Sequence, residues 1–258
     1  MGAKPSPEYY ERIKALDSVV RECISVSREF ADIKSPTGGH YYASVLFSSL
    51  CTRAVTIIMM APHSLWARRK LENWDYSSMA GIVRSLLEVR LAFHYLCAER
   101  IDQEEWNCRW NLFNLHDCTS RIHLFQEMPD NEENLTGLEA QAEDLRQRLQ
   151  TNSHFHTLPE SRQRELLRGK TAYLSSLEDI GVKAGVDIHT FRWLYKLFSS
   201  QVHGLPMSFY RNGEQNRGRG VHSETEEQYT SLCLSFALTL LVGARDEMRA
   251  IFAGVKTP

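Results

Sequence analysis

Apolar side chains recur at helical spacing through most of the chain, and one stretch is apolar around its whole circumference. Residues 79–99 read MAGIVRSLLEVRLAFHYLCAE. On a helix that advances about 100° per residue, the apolar side chains of this stretch point to every side. A helix that is apolar all round belongs in the centre of a bundle. The pattern therefore predicts a buried central helix over residues 79–99.

The same helical spacing predicts further helices before and after the central one. The helix over residues 40–61 is almost free of charge, so we expect it to be buried. The helix over residues 132–150 alternates acidic and basic side chains, which indicates a solvated helix outside the bundle. The remaining predicted helices cover residues 8–33, 102–127, a short segment after Pro159, 172–184, 187–204 and 223–252.

Two helix starts carry capping signals. Asp187 is a suitable N-cap, and Ser223 with Glu226 forms a capping box. No stretch of useful length alternates as a strand would, so the predicted class is all-α, with a single helical bundle of about seven to nine helices. We expect one domain over residues 1–258, with its core in about 40–128 and 172–252 and a peripheral helical insertion at 130–170.

Composition and charge exclude several classes of protein. The chain has 30 Lys+Arg against 32 Asp+Glu, so no global field draws it onto nucleic acid or lipid. Its six cysteines form no Cys-x-x-Cys pair and are expected to be buried reduced thiols. The N-terminus lacks the apolar core of a signal peptide, and the apolar run at 232–243 is too short to span a bilayer. These features predict a cytoplasmic protein without membrane contact.

Two polar stripes interrupt the apolar pattern. Arg84 and Glu88 lie one turn apart in the central helix, where a charged pair is costly unless it is well partnered. Tyr195, Ser199 and His203 follow one another at four-residue steps on the helix over 187–204, so they share one face. That face ends at a helix C-terminus, which favours a protonated imidazole. We expect the two helices to face one another and the five residues to meet.

The five-residue network has two interpretations. In an active site, His203 acts as general base, Arg84 holds a phosphoryl or other anionic oxygen, and Glu88 orients Arg84 or shares a proton with His203. In the structural interpretation, the same residues form a satisfied polar network that fixes the register of two core helices. The spacing alone leaves both open.

An Arg- and Gly-rich loop follows His203 in the sequence. Residues 207–222 carry Arg211, Arg217 and Arg219, and such a loop can clamp the phosphates of RNA or of a nucleotide. The alternative is a solvated loop without a ligand. His154 and His156 have no third metal ligand near them in the sequence. We therefore expect neither a metal nor another cofactor.

Two segments carry a family resemblance. RSLLE at 84–88 and Y-x-x-x-S-x-x-x-H-G at 195–204 resemble the signatures of a bacterial helical family, a domain of unknown function numbered fifty-six seventy-seven. The resemblance implies a match over roughly residues 40–250. It also implies that the family's recurrent polar residues are here Arg84, Glu88, Tyr195, Ser199 and His203, with no established reaction to transfer.

A more distant resemblance is to the HEPN domains, helical bundles of toxin–antitoxin and phage-defence systems. The segment FSSQVHG at 198–204 is similar to the HEPN signature turn, and many HEPN domains are metal-independent ribonucleases. The signature arginine is missing, because positions 196–198 are Lys, Leu and Phe. A HEPN-type site would therefore need Arg84 from another helix.

The leading hypothesis is a bacterial defence or toxin effector that acts on RNA or a nucleotide through Arg84, Glu88, Ser199 and His203. One alternative is a non-catalytic module that binds a partner protein or forms a homodimer. Another is a sensor that binds a small anionic ligand at Arg84.

Overall fold

The computed structural model describes residues 4–128, 132–210 and 212–255, and this part of the chain is all-α. It contains eleven α-helices, nine of them with seven or more residues, and no strand, which confirms the predicted class. A π-helical turn, His94–Ala98, directly follows the third helix, and a 3-10 turn, Glu214–Asn216, precedes the last. The α-helices are α1 (Pro7–Glu29), α2 (Gly38–Met60), α3 (Tyr76–Phe93), α4 (Gln103–Gln126), α5 (Glu132–Gln150), α6 (Ser153–His156), α7 (Glu160–Leu166), α8 (Leu177–Lys183), α9 (Ile188–Val202), α10 (Pro206–Phe209) and α11 (Glu224–Phe252).

Contacts between residues divide the chain into two compact units. The first unit comprises Met1–Ala98 and Ile180–Pro258, and the second comprises Glu99–Asp179. The helices α1 to α3 and α8 to α11 fall in the first unit, apart from the first residues of α8, and α4 to α7 fall in the second. The expectation of one domain with an insertion at 130–170 stays a prediction.

Helix α3 is the centre of the first unit, as its all-round apolar pattern predicts. It packs against α2, α9 and α11, and α1 packs against α2 and α11. Val83, Leu86 and Leu91 of α3 are fully buried. Burying a side chain of this kind contributes about 1.5–3 kcal/mol, so a helix buried on several sides is a major source of stability for this unit.

The end of α3 departs from the predicted continuous helix. The backbone changes to the π-helical turn at His94–Ala98, where the sequence pattern predicts uninterrupted α-helix to residue 99. Tyr95 and Leu96 are adjacent in sequence, and both are buried at 1% and 3% exposure. An apolar pattern cannot predict such a turn. The turn moves the following residues around the helix axis, and a helix that is apolar on all sides shows the same pattern before and after that movement.

Helix α2 is only partly buried, which corrects the sequence expectation. Phe47, Leu50 and Ile57 face the core with no exposed surface, whereas Tyr41 and Val45 are 56% and 47% exposed. The helices that pack on α2 leave part of its apolar surface uncovered. By length and composition, α2 could cross a membrane, and 39% of its apolar window is buried within the protein. The core helix of a soluble protein passes the same test.

The second unit is built on the contact between α4 and α5. Helix α5 has the alternating charges of a solvated helix, but Leu138, Ala142, Leu145 and Leu149 recur along it at spacings of three and four residues and are buried. These residues join a core cluster with side chains of α4, α6 and α7. The other members of the cluster are Cys108, Leu112, Leu115, Cys118, Phe155 and Leu166.

The two predicted caps form, although one of them only in part. Asp187 accepts from the Thr190 N–H at 2.8 Å, and Ser223 Oγ accepts from the Glu226 N–H at 3.2 Å. The Glu226 carboxylate does not complete a capping box. It accepts instead from the backbone N–H groups of Gly218 at 2.9 Å and Tyr76 at 3.4 Å, which ties the start of α3 to the loop before α11.

A glycine pair provides a test of the second unit's packing. Gly169 has φ +70°, and a Cβ there would lie 2.5 Å from Thr119 Cγ2, whereas Gly185 has φ +82° with open space around it. We expect Gly185→Ala to lower the free energy of unfolding by the left-handed backbone cost alone, about 1–2 kcal/mol. Gly169→Ala adds steric overlap of about 1–3 kcal/mol. Urea unfolding followed by circular dichroism measures both, and equal losses would contradict the packing at Gly169.

Candidate functional site

Helices α3 and α9 lie side by side in opposite directions. Ser77, near the start of α3, donates to Gln201 Oε1 near the end of α9 at 3.0 Å. Further along α3, Arg84 Nε donates to Ser199 Oγ at 3.1 Å. Later residues of α3 therefore meet earlier residues of α9, and the two predicted polar stripes face each other.

Arg84 is held by side chains from both helices. Its guanidinium Cζ lies 3.7 Å from the centroid of the Tyr195 ring, and its Nη1 donates to the Glu88 carboxylate in an ion pair. Phe191 stacks on the Tyr195 ring, with centroids 5.4 Å apart. Because a cation over an aromatic face and a charge-assisted hydrogen bond both restrict the guanidinium plane, Arg84 presents a fixed positive charge.

The structure thus brings together Arg84, Glu88, Tyr195 and Ser199. The side chain of Arg84 is 15% exposed and that of Glu88 is 37% exposed, so the cluster reaches the surface on the Glu88 side. In the described part of the chain, Nη2 of Arg84 has no hydrogen-bond partner. The Nη2 edge of the guanidinium therefore keeps donor capacity for a ligand.

His203 lies one turn beyond Ser199, at the C-cap of α9. Its backbone N–H donates to the Ser199 carbonyl at 3.1 Å, and the residue is exposed. Within residues 4–128, 132–210 and 212–255, its imidazole makes no hydrogen bond or ion pair. His203, the fifth predicted residue, therefore lies next to the cluster on α9, but its imidazole takes no part in the hydrogen-bond network.

The predicted arginine loop is only partly a surface feature. Arg217 is 7% exposed and donates to Tyr76 Oη at 2.7 Å, with its guanidinium 5.1 Å from the Tyr229 ring centroid. It packs onto the starts of α3 and α11 and is not available to clamp a phosphate. Arg219 is exposed and donates to Asn216 at 3.5 Å. Arg211 lies outside the described residues.

A second polar network on α3 was not predicted from the sequence. Arg90 is 1% exposed and donates to both carboxylate oxygens of Glu247 on α11, at 2.8 and 2.7 Å. His94 Nδ1 lies 2.9 Å from the same carboxylate. The sequence does contain a local indication of this network. Arg90 and His94 lie one turn apart in an apolar stretch, just as Arg84 and Glu88 do. Their partner Glu247 lies 157 residues after Arg90, and no pattern around Glu247 in the sequence indicates this pairing.

Burial and charge act in opposite directions on Glu247. Burial alone would raise the pKa of its carboxyl, but the hydrogen bond to His94 and the charge of Arg90 outweigh burial and hold the pKa below its usual range. The carboxylate therefore stays charged in the folded protein, and it neutralises an arginine that has almost no access to water.

The six cysteines are free thiols, and five of them are buried, with Cys97 half-buried. Burial raises the pKa of Cys233 to about 12, which keeps this thiol protonated at neutral pH. Among the described residues, no three His, Cys, Asp or Glu side chains are placed to hold a metal ion together.

Comparison with protein families places most of the chain in a family. A family of unknown function, DUF5677, matches residues 40–220, a range that contains both motif segments and ends before α11. No curated protein and no solved structure matches the chain. The resemblance to the HEPN domains is not confirmed and stays a prediction.

Variants of Tyr195 test how Arg84 is held. We expect Tyr195→Phe to change the free energy of unfolding by less than about 0.5 kcal/mol, because the ring carries the contact. Tyr195→Leu removes the aromatic face and costs about 1–2 kcal/mol. In an Arg84→Met background, the Phe and Leu variants should differ by clearly less. An unchanged difference, measured by urea unfolding, would show that Tyr195 stabilises the protein independently of Arg84.

Glu247→Gln tests the second network through pH. The pKa of Glu247 is lowered by folding, so its stabilisation is present above the unfolded carboxyl pKa of about 4.3 and is lost as pH falls through the folded value. We expect the variant to lose about 3–5 kcal/mol at neutral pH, because it leaves the Arg90 charge buried without a counter-charge. The difference should shrink in acid.

The matched control is Asp246→Asn, which removes an exposed carboxylate paired with Arg245 and should cost less than about 1 kcal/mol. Urea unfolding on both sides of the carboxyl pKa range measures all three proteins. A loss for Glu247→Gln that does not change with pH would contradict the ionised pair.

Proposed function

We propose that this chain, which belongs to the DUF5677 family of unknown function, binds a phosphate-bearing ligand at Arg84 and acts on it. The ligand class is RNA or a nucleotide, and the biological setting is bacterial defence or a toxin system in the cytoplasm, without membrane contact. The single observation that carries the proposal is the fixed guanidinium of Arg84, held by Tyr195, Ser199 and Glu88 with one nitrogen left for a ligand.

The fixed orientation of the Arg84 guanidinium favours the binding of an anion. An arginine donates two parallel hydrogen bonds to phosphate oxygens, and it binds best when its fork is already oriented. Donors that are fixed before the ligand arrives cost little reorganisation, and they stabilise the charge that develops during phosphoryl transfer. Ser199 and Glu88 accept hydrogen bonds from Nε and Nη1 of Arg84. Only Nη2 remains for the ligand, so the site offers the ligand one oriented contact.

His203 supplies the proton-transfer group. Imidazole is the side chain that exchanges protons near neutral pH, and the ring of His203 is exposed one turn from Ser199. On RNA, His203 would take the proton of a ribose 2′-hydroxyl as its oxygen attacks the phosphorus. The P–O bond to the 5′-oxygen breaks, that oxygen takes a proton from water, and His203 returns its proton to the solvent. The upstream product keeps a 2′,3′-cyclic phosphate. Arg84 would neutralise the non-bridging oxygens.

The resemblance to HEPN ribonucleases agrees with this assignment in one respect. The signature arginine is absent from α9, and Arg84 contacts Ser199 of α9 from the neighbouring helix at 3.1 Å. A cation from α3 can therefore serve the turn that ends in His203.

The second candidate is a non-catalytic interaction module, and one observation favours it. The segment around α10 exposes large apolar side chains, each between 49% and 73% accessible. Exposed apolar clusters of this kind mark interaction sites. In this interpretation, the network around Arg84 has a structural role and the surface next to it contacts a partner protein or a second copy. The side chains are Leu205, Met207, Phe209 and Tyr210.

The test of the enzyme proposal is cleavage of single-stranded RNA by the full chain in excess EDTA. We expect Arg84→Ala and His203→Ala each to lower the rate about 100-fold or more, the usual contribution of an oxyanion-stabilising donor or of a general base. Arg84→Lys should recover only part of the rate, because a lysine ammonium cannot stack on Tyr195 and hold one donor in a fixed orientation as the guanidinium does. The product should carry a 2′,3′-cyclic phosphate.

The matched control is His189→Ala, which removes an exposed histidine from the first turn of the same helix and should leave the rate unchanged. Circular dichroism confirms that each variant folds. If folded Arg84→Ala and His203→Ala keep the full rate, the site is not catalytic. If the unmodified chain neither binds nor cleaves RNA or nucleotides, the interaction module becomes the better account.

A further inference from the structure

The second unit contains a cavity that plays no part in the site at Arg84. It has a volume of about 380 Å³ and lies between α4, α5 and the segment after α7. All of its lining residues belong to Glu99–Asp179. They are Thr119, Ile122, His123, Glu139, Ala142, Arg146 and Arg168.

The cavity concentrates basic side chains. Arg146, Arg168 and His123 line it together with one carboxylate, Glu139. Arg146 Nη1 also forms an ion pair with Glu143 at 3.3 Å, and its Nη2 remains for a ligand. Arg168 is exposed, and in the described part of the chain its side chain has no hydrogen-bond or ion-pair partner. A free guanidinium at a cavity wall is available to an incoming anion, and arginine forks match phosphate oxygens.

The wall that carries Arg168 is held in place by hydrogen bonds. Arg146 Nε donates to the Leu167 carbonyl at 3.1 Å, and Thr119 Oγ1 donates to the Gly169 carbonyl at 2.8 Å. His116 Nδ1 lies 2.9 Å from the same Gly169 oxygen. The residues on both sides of Arg168 are therefore fixed to α4 and α5, and these hydrogen bonds hold the cavity wall in position.

The charge of the surrounding unit limits the size of the ligand. Residues 99–179 contain 16 Asp+Glu against nine Lys+Arg, so a long polyanion such as RNA would be repelled over most of this unit. A small anion meets mainly the basic lining. Ile122 and Ala142 add an apolar wall that suits the organic part of a ligand, and the volume falls in the range of small-molecule sites, roughly 300–1,000 Å³.

From these observations we propose that the cavity between α4 and α5 binds a small organic phosphate of about mononucleotide size. The phosphate lies between Arg146 and Arg168, and the organic part lies along Ile122 and Ala142. This site is separate from Arg84 and does not depend on the function proposed there.

Isothermal titration calorimetry of the full chain with AMP, and separately with inorganic phosphate, tests the proposal. We expect AMP to bind more tightly than phosphate, because only AMP uses the apolar wall. Arg168→Gln should weaken AMP binding about tenfold or more, the loss of a charge-assisted contact. Glu139→Gln should strengthen it, because it removes the opposing carboxylate.

Two control variants separate this site from other effects. Arg164→Gln removes an exposed arginine of α7 that does not line the cavity, and it should leave AMP binding unchanged. A mononucleotide is also a candidate ligand of Arg84, so the titrations are repeated in the Arg84→Ala variant, in which the AMP binding that Arg168→Gln weakens should remain. The proposal is overturned if AMP does not bind, if Arg84→Ala abolishes binding while Arg168→Gln does not, or if phosphate binds as tightly as AMP.

Discussion

The buried position of α3 imposes one constraint on the rest of the first unit: each charged side chain on this helix needs a partner close to it. An ion without a partner in a protein interior costs several kcal/mol. Arg84 meets the requirement with Glu88 on its own helix and with Ser199 and Tyr195 on α9. Arg90 meets it with Glu247 on α11. The contacts of Arg84 with Ser199 and Tyr195 and of Arg90 with Glu247 connect α9 and α11 to the central helix.

The same constraint makes the Arg84 cluster ambiguous in function. A cation that is well held for structural reasons is also well prepared to bind an anion, since both roles need a fixed guanidinium. What distinguishes the two clusters on α3 is access to solvent. Arg90 is 1% exposed and binds Glu247 through both Nη atoms, whereas the Arg84 cluster reaches the surface through Glu88. The proposed chemistry is assigned to Arg84 because its cluster is accessible to solvent, since both clusters carry an arginine charge.

The two polar stripes could be predicted, and the position of the arginine loop could not. Arg84 with Glu88, and Tyr195 with Ser199, share faces because four-residue steps return to the same side of a helix. Arg217 was expected on an exposed loop, available to contact a phosphate, and is instead buried against Tyr76, because the loop folds back onto the start of α3. Loop composition indicates polarity and turn chemistry, but it does not indicate which surface the loop covers.

By itself, the sequence determined the long helices, two N-caps and the central position of α3, because helical periodicity and capping depend on neighbours within a few residues. It also indicated that two polar stripes should meet. The tertiary structure alone decided the π-helical turn at the end of α3, the pairing of Arg90 with Glu247 and the cavity that joins His123 to Arg168. These features join residues that are distant in the chain or leave the apolar pattern unchanged, so no local signal can specify them.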